Sequence, residues 1–345
     1  MKLKQFQSYL QKKGIDLAFL THPDPNIIYF TQMKPSFALL LITPSSAELH
    51  LSKLDLPPKV PGITTTYLQK NWEKKLADPK IKKIGVCKYV LSLQFAEKLQ
   101  KIYPRAELVD ISSILNELRS QKTPEEIQKI TKASSITSQA FNSLVNQFSL
   151  KTFKTERDVA FFLEKFIREH GAELAFPTIV SSGKNSAVPH HVTSSAKLGK
   201  GFLQLDFGAC YKHYCSDMSR VLYLGKPSEK EKEHFDLLHQ AQLAPIIEVK
   251  ADQSFIELDK ISRKHLGKYS SRFIHSLGHG VGVEIHEAPA FSEEAKQTIQ
   301  LDQIFTIEPG IYFPGKYGIR IEDTLLFNGK AKILTTSPKD LVILK

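Results

Sequence analysis

The first third of the chain alternates short apolar runs with amphipathic segments. Leu3, Phe6 and Leu10 recur at helical spacing, which predicts a helix over residues 2–13 that Gly14 ends. Short apolar runs that are bounded by polar and turn residues predict strands. Strands alternating with helices indicate a small α/β layer. The predicted strands are Leu17–Leu20, Phe37–Ile42, Ala47–Leu51, Ile81–Val86 and Glu107–Ile111, with a further helix at Leu91–Ile102.

A strong helix start marks a change of organisation near Arg119. Thr123 can cap the helix, Pro124 suits the first helical position, and Glu126 can complete a capping box. We therefore predict two domains, residues 1–118 and 119–345. The second has the pattern of an α+β domain, and two halves of paired helices plus strands are consistent with it. Its predicted helices lie near 124–145, 155–170, 228–249 and 254–266, and its late strands around Phe273, Gln303–Glu308, Gly318–Leu326 and Ala331–Thr335.

Composition narrows the class of protein. The net charge is +11, but no nucleic-acid-binding motif accompanies it, so we expect a solvated basic surface and no specific nucleic-acid partner. Three cysteines without metal-finger spacing suit a reducing compartment. The N-terminus is interrupted by charges, and the apolar run Phe37–Ile42 is far too short to span a membrane. We expect a cytoplasmic protein without a membrane partner.

Two aspartates form the first chemical signal. Asp206 and Asp217 lie in two strand-like runs, and the turn-compatible Gly208, Lys212 and His213 separate them. A hairpin would set the two carboxylates opposite each other across paired strands. Two such carboxylates repel unless a cation lies between them, and a divalent metal ion would serve. Two solvated aspartates at strand ends are the alternative.

Histidines provide the second signal, in the stretch HSLGHGVGVEIHEAP. Gly278 and Gly280 flank His279, which leaves room for the imidazole to enter a cleft. The alternation through Val281 and Ile285 predicts a strand, on which His286 has the opposite parity and needs a turn or a bulge to join the same site. A third stretch, around Pro189, is predicted to be a loop that presents His190.

Two acidic positions complete the candidate cluster. Glu308 ends an apolar strand at a Pro-Gly turn, and Glu322 follows Arg320 by two residues, so that both side chains would share one strand face. Four carboxylates and one imidazole, all expected on strands, would be unstable when buried without neutralising cations. Four carboxylates can hold two divalent ions, an arrangement that activates water and clamps an oxygen of the substrate.

These motifs resemble those of the metallopeptidases with the pita-bread fold. The segments IVSSGKNSAVPHH, LDFGACYKHYCSDMSR, HSLGHGVGVEIHEAP, TIEPGIY and GIRIEDT carry the resemblance across nearly the whole chain. That family includes methionine aminopeptidases, aminopeptidase P and prolidase, with creatinase as a metal-free relative. The N-terminal layer, including NIIYFT, is similar to the smaller domain of the creatinase and prolidase branch. The resemblance implies a C-terminal pita-bread domain, a peptidase for Xaa-Pro bonds and a homodimer.

The resemblance also implies roles. Asp206 would bind one metal ion, Asp217 and Glu322 would bridge two, and His279 and Glu308 would complete the second site. Manganese, cobalt and zinc all suit such a set. Glu308 would also act as general base. His190 and His286 would bind the substrate and stabilise the oxyanion, and Arg320 would fix a ligand carboxylate.

One position departs from the pattern of several prolidases. A basic residue just after the HExP stretch is thought there to hold the carboxylate of the dipeptide, whereas here Ala290 and Phe291 follow and the first basic residue is Lys296. An aminopeptidase acting on longer Xaa-Pro peptides is therefore an alternative. Methionine-aminopeptidase-like activity and a non-catalytic binding protein on the same fold are the others, and the intact ligand set argues against the last.

Overall fold

The computed structural model describes residues 2–291 and 297–344. Contacts between Cα atoms divide the chain into two units, Met1–Arg119 and Ser120–Lys345. Lys296, the first basic residue after the HExP stretch, lies outside the described residues. No helix of the described residues is both long enough and apolar enough to cross a membrane.

The first unit is built on a six-stranded mixed sheet with the order β4-β3-β2-β1-β5-β6. The sheet buries Leu17, Phe19 and Leu39 against Leu99 of α4. The helices predicted at 2–13 and 91–102 are confirmed, as are the five predicted strands, with end shifts of one or two residues. The elements are α1 (Lys2–Lys13), β1 (Leu17–Thr21), α2 (Pro25–Thr31), β2 (Ala38–Ile42), β3 (Ala47–Leu51), β4 (Thr64–Tyr67), α3 (Trp72–Leu76), β5 (Lys83–Val86), α4 (Leu93–Ile102), β6 (Glu107–Asp110) and α5 (Ser112–Ser120).

The capping box predicted at Thr123 is present, and three other long helices of the second unit begin in the same way. Thr123, Thr155, Ser228 and Ser254 each cap the backbone of a residue three positions on, and that residue's carboxylate caps in return. The helices are α6 (Pro124–Gln147), α7 (Glu156–Glu169), α8 (Glu229–Glu248) and α9 (Phe255–Leu266), with 3₁₀ helices at Gly183–Ala187 and Gly267–Arg272.

Strands of the second unit form two principal sheets, each covered by a pair of these helices. In one, β20-β12-β9-β8, Leu203 and Leu205 pack against α6 and α7. In the other, β14-β13-β15-β18-β19, Phe305 and Leu325 pack against α8 and α9. The strands are β7 (Glu173–Leu174), β8 (Ile179–Ser182), β9 (Gly201–Phe207), β10 (Ala209–Tyr211), β11 (Tyr214–Cys215), β12 (Met218–Leu224), β13 (His279–Gly280), β14 (Glu287–Ala290), β15 (Gln303–Ile307), β16 (Gly310–Phe313), β17 (Tyr317–Arg320), β18 (Asp323–Phe327), β19 (Ala331–Ile333) and β20 (Val342–Leu344).

Several predicted strands are wrong in ways that affect the site. Phe273 follows a 3₁₀ helix and lies in no strand. The alternating stretch 281–285 forms no strand, although Val281, Val283 and Ile285 belong to one apolar cluster. The single strand predicted over Gly318–Leu326 is two strands, β17 and β18, with Ile321 and Glu322 between them.

Candidate active site

Asp206 and Asp217 are brought together by a hairpin that is longer than predicted. Strands β9 and β12 pair antiparallel, but Ser219 lies opposite Asp206, not Asp217. The intervening β10 and β11 form an extra ribbon that β7 extends to a three-stranded sheet, and the turn at Lys212 and His213 has positive φ at both positions. Asp217 therefore lies where β12 is about to begin, two residues before Ser219, and so on the same side of the strand.

Glycine permits this close approach of the chain. A Cβ atom at Gly208 would lie 1.9 Å from the carbonyl oxygen of Ser216, a separation that no side chain tolerates. Thr324 then fixes the backbone of Asp217: its hydroxyl donates to the Asp217 carbonyl at 2.7 Å and accepts from the Asp217 N–H at 3.2 Å. The position of the Asp217 carboxylate is thus set by β18 as well as by the hairpin.

His279 and Glu308 are positioned by neighbouring strands of the second sheet. The Thr306 hydroxyl accepts from the His279 N–H at 3.1 Å and donates to the Glu308 carboxylate at 3.3 Å. The ring Nδ1 of His279 donates to the Gly280 carbonyl at 3.1 Å, so Nε2 is the ring nitrogen that faces the carboxylates. Nε2 lies 3.3 Å from Glu308 Oε1 and 3.5 Å from Asp217 Oδ2.

Glu322 and Arg320 reach the cluster from the break between β17 and β18. Ser219 Oγ donates to Glu322 at 2.9 Å and accepts from Arg320 Nε at 2.9 Å. Arg320 also contacts Asp206 at 2.5 Å and donates to the Tyr312 hydroxyl at 2.8 Å. Only Asp206 and His279 of the five predicted ligands lie within strands. The expectation that all five do is wrong, because the other three occupy strand ends and breaks.

Electrostatic repulsion dominates the carboxylates. Burial, followed by the charges of Asp206 and Glu308, raises the pKa of Asp217 well above its ordinary value. Burial and the charge of Asp217 raise the pKa of Glu322 in the same way. Burial also raises the pKa of Glu308, although His279 and Arg320 oppose the shift. The cluster is therefore unfavourable in its fully ionised form unless a further cation is bound.

The donor atoms fit a metal ion. One nitrogen or oxygen each from Asp217, His279 and Glu322 lie within 4.8 Å of one another. Asp217 Oδ1 and Glu322 Oε1 are buried, and no described residue donates a hydrogen bond to either. A buried carboxylate oxygen without a partner is costly, and coordination of a divalent cation would remove that penalty.

The cluster opens into a cavity of about 740 Å³ in the second unit. His190 and His286 both line it, and the ring centroids of His286 and His279 lie 4.2 Å apart. The sequence pattern placed His286 on the opposite strand face from His279. The fold nevertheless brings the two rings together, because the chain turns between Gly280 and Glu287 and the β13–β14 register shifts at His279 and Gly280. Burial and the neighbouring His279 lower the pKa of His286 to about 4, so its imidazole is neutral near pH 7.

The loop that carries His190 is held by a buried carboxylate that the sequence reasoning missed. Glu156, the first residue of α7, is 0% exposed. One of its oxygens accepts from Ser182 N–H at 2.9 Å and from Asn185 at 2.8 Å. The other accepts from His191 at 2.8 Å and from the N–H and hydroxyl of Ser194 at 3.1 and 2.8 Å.

A second network was also missed. Arg320 donates to Tyr312, and the Tyr312 hydroxyl lies 3.0 Å from Nε2 of His275, whose Nδ1 donates to the Ser276 carbonyl. Burial and Arg320 lower the pKa of His275 to about 4, so Nε2 is free to accept from Tyr312. The stretches around Glu308 and His279 contain Tyr312 and His275, but nothing in their spacing predicts that they meet.

Two protein-family models match the chain and show which family it belongs to. A model of metallopeptidase family M24 matches residues 128–328, more than half of the protein. The chain belongs to metallopeptidase family M24. A model of the creatinase/prolidase N-terminal domain matches residues 2–121. Together the M24 match and the N-terminal-domain match confirm the predicted family, its prolidase branch and the fold class, and M24 membership implies divalent metal ions.

Individual relatives span the full length of this M24 chain. It is 35% identical to the Xaa-Pro dipeptidase of Pyrococcus horikoshii over 350 residues, which cover 99% of this chain and 98% of the relative. The crystal structure of the prolidase from Pyrococcus horikoshii aligns with a TM-score of 0.91, 33% identity and 99% coverage of both chains. That of an X-Pro aminopeptidase from Thermotoga maritima aligns with a TM-score of 0.86 and 31% identity over 96% of this chain and 98% of that one.

Proposed function

We propose that this M24 protein is a dinuclear metal-dependent peptidase that hydrolyses the Xaa-Pro bond at the N-terminus of dipeptides or short peptides. The observation that carries the proposal is the convergence of four carboxylates and His279 at the inner end of one cavity, with two buried carboxylate oxygens left without hydrogen-bond donors. The names of the relatives support the choice of the Xaa-Pro bond. Residues 119–345 are proposed as the catalytic domain.

The ligand roles follow the family resemblance. Asp206 would hold one ion, and Asp217 and Glu322 would contact both ions. His279 and Glu308 would complete the site of the second ion. The oxygen-rich set with one imidazole suits manganese, cobalt or zinc. When bound, such ions lower the pKa of a water molecule and polarise the scissile carbonyl.

Glu308 would accept the proton of the attacking water. Burial raises the pKa of its carboxylate, which brings its basicity closer to that of a base working near neutral pH. The hydroxyl of Thr306 at 3.3 Å orients it. His190 and His286 would donate hydrogen bonds to the substrate and to the oxyanion, which the neutral ring of His286 can do without adding charge.

Arg320 would act through Asp206. Its guanidinium is 3% exposed and binds Asp206, Ser219 and Tyr312 with Nη2, Nε and Nη1 respectively. This leaves little freedom for the Asp206 carboxylate, and orientation of a ligand by such a partner is a common requirement of metal sites.

The length of the substrate depends on what holds its far end. Ala290 is exposed on β14 opposite His279 and offers no charge to a carboxylate. The cavity of about 740 Å³ falls in the range of pockets that enclose drug-sized ligands. We therefore propose either a dipeptide or a longer Xaa-Pro peptide as the substrate.

A substrate panel tests the proposal. Chelator-stripped protein would be supplied with Mn²⁺, Co²⁺ or Zn²⁺ and given Ala-Pro, Ala-Pro-Ala, Met-Ala-Ala and, as a matched control, Ala-Ala. We expect metal-dependent cleavage of one or both proline peptides and little cleavage of the others. Cleavage of Met-Ala-Ala alone would establish methionine-aminopeptidase activity. Metal binding without cleavage of any peptide would favour a binding protein on the same fold.

Three further expectations stay predictions. They are the cytoplasmic location, the homodimer and the choice of manganese, cobalt or zinc as the metal. Metal content of the purified protein and its mass in solution by light scattering would test the last two.

A further inference from the structure

One wall of the cavity is a face of α7 that carries Arg157, an arginine without an ion-pair partner among the described residues. Arg157, Ala160, Phe161 and Glu164 are spaced three and four residues apart, and all four line the cavity. Arg157 lies in the first turn of α7 and its side chain is exposed. Among the described residues it has no ion-pair partner, since no carboxylate oxygen lies within 4.0 Å.

The other arginine that lines the cavity, Arg320, already binds other side chains. Arg320 is buried, and its ion pair with Asp206 is accompanied by hydrogen bonds to Ser219 and Tyr312. His191, which also lines the cavity, directs Nε2 to Glu156 at 2.8 Å. Arg157 is thus the permanently charged group on the described part of this wall that is available to a ligand.

The backbone of Arg157 is firmly placed. Its N–H donates to the Ser194 carbonyl at 3.2 Å, and the adjacent Glu156 is fixed by the hydrogen bonds described above. The capping box of Thr155 and Asp158 sets the direction of this first turn. The guanidinium therefore projects from a rigid element, as a specificity-determining group requires.

Phe161 lies one turn further along the same face. Its ring is 63% exposed and, with Val192 at 83%, places apolar surface on the cavity wall next to the cation. A guanidinium beside apolar surface suits the end of a peptide, whose last side chain is apolar or small and whose terminal carboxylate accepts two parallel hydrogen bonds.

We propose that Arg157 binds the terminal carboxylate of the peptide substrate and so replaces the basic residue that is missing at Ala290. This inference rests on the proposed function and adds the residue that selects short peptides with a free C-terminus. Glu164, two turns from Arg157 on the same wall, is half-buried and repels a carboxylate, so it confines that carboxylate to the Arg157 end.

The test compares free acids with their C-terminal amides, Ala-Pro with Ala-Pro-NH₂ and Ala-Pro-Ala with Ala-Pro-Ala-NH₂, on metal-loaded enzyme. In the wild type, kcat/KM should favour the acid of one pair by about ten- to hundredfold, the range for a hydrogen bond between charged groups. Arg157→Gln should abolish that preference by lowering the rate on the acid alone. Arg157→Lys should retain part of it, because lysine keeps the charge without the planar geometry.

Two matched variants separate this role from general effects. Lys165→Gln removes an exposed cation from the same helix, outside the cavity lining, and should leave the acid-to-amide ratio unchanged. Glu164→Gln should raise the ratio. Since Arg157 is exposed, its variants should unfold at the wild-type midpoint.

Three results overturn the inference, and the last is distinguishable from the first two. A wild type that cleaves Xaa-Pro peptides with equal acid and amide rates, or Arg157→Gln with an unchanged preference, overturns the role of Arg157 and leaves the proposed function standing. A wild type that cleaves no Xaa-Pro peptide overturns both.

Discussion

Glu156 is expected to determine the order of the His190 loop, and one isosteric substitution measures this. Its carboxylate collects five hydrogen-bond donors and is 0% exposed. Burial alone would raise the pKa of Glu156, but hydrogen bonds from Asn185, His191, Ser182 and Ser194 outweigh burial and lower it. The group is therefore ionised near pH 7, as these five donors require.

Glu156→Gln keeps the shape but turns one acceptor oxygen into an NH₂ group. If the new NH₂ group takes the place of Oε2, the His191 ring and the Ser194 hydroxyl can each accept a hydrogen bond from it instead of donating one. The Ser194 N–H cannot. In the flipped orientation the Ser182 N–H is left facing the NH₂ group instead. Either way one buried backbone donor loses its acceptor, which costs about 1–3 kcal/mol.

The assay is urea unfolding followed by far-UV circular dichroism, with hydrogen exchange of residues 180–196. We expect the free energy of unfolding to fall by about 1–3 kcal/mol and exchange in this loop to accelerate. Peptidase activity should fall with it, because His190 lies in the same loop. Glu169→Gln, at the exposed C-terminal end of the same helix, is the control and should stay within about 0.5 kcal/mol of the wild type. A Glu156→Gln protein as stable and as slowly exchanging as this control would refute the reasoning.

Three further predictions concern charge. Asp217→Asn should raise the unfolding midpoint of the metal-free protein, because it removes a buried charge that its neighbours repel, and should abolish stabilisation by added divalent ions; a calorimetric scan with and without Mn²⁺ measures both. Lys122→Ala should destabilise by about 3–5 kcal/mol in urea unfolding, because it removes the cation that lies 2.9 Å from the buried Glu287 carboxylate. Burial acts to raise the pKa of Asp323, but Arg220 and other cations outweigh it and lower the pKa; this stabilisation should be lost as the pH falls below about 4, as acid titration of unfolding will show.

Each of these has a contradicting result. An Asp217→Asn protein that is less stable than the metal-free wild type would mean that the carboxylate is compensated without metal. For Lys122, the exposed Lys132→Ala on α6 is the control, and equal stability of the two variants would remove the importance of the Lys122–Glu287 pair. Unfolding free energy that stays constant from pH 5 to 2 would contradict the sign derived for Asp323.

The sequence predicted the elements of the site better than their connections. The capping box at Thr123 predicted the start of α6, because this signal is local. Turn residues predicted a hairpin between Asp206 and Asp217, but not the β10–β11 ribbon that places Ser219 opposite Asp206. Register depends on pairing between distant residues, and no local pattern encodes it.

Contacts in the site between residues that are distant in the sequence could not be predicted from local sequence patterns. The alternation of residues requires a turn or a bulge to bring His286 to His279, and a register shift between β13 and β14 provides it. No local pattern distinguishes Glu156 from an ordinary first-turn acid of a helix, because its five donors come from residues 26 to 38 positions away. The family resemblance named the ligands, whereas the buried oxygens of Asp217 and Glu322 supply a physical reason for a cation.

The most direct test of the central claim is a titration of chelator-stripped protein with Mn²⁺, followed by the rate of Ala-Pro or Ala-Pro-Ala cleavage. A dinuclear mechanism predicts no cleavage without metal and a rate that rises to saturation near two ions per chain, with Asp217→Asn inactive throughout. Full activity in the stripped protein, or in Asp217→Asn, would contradict it.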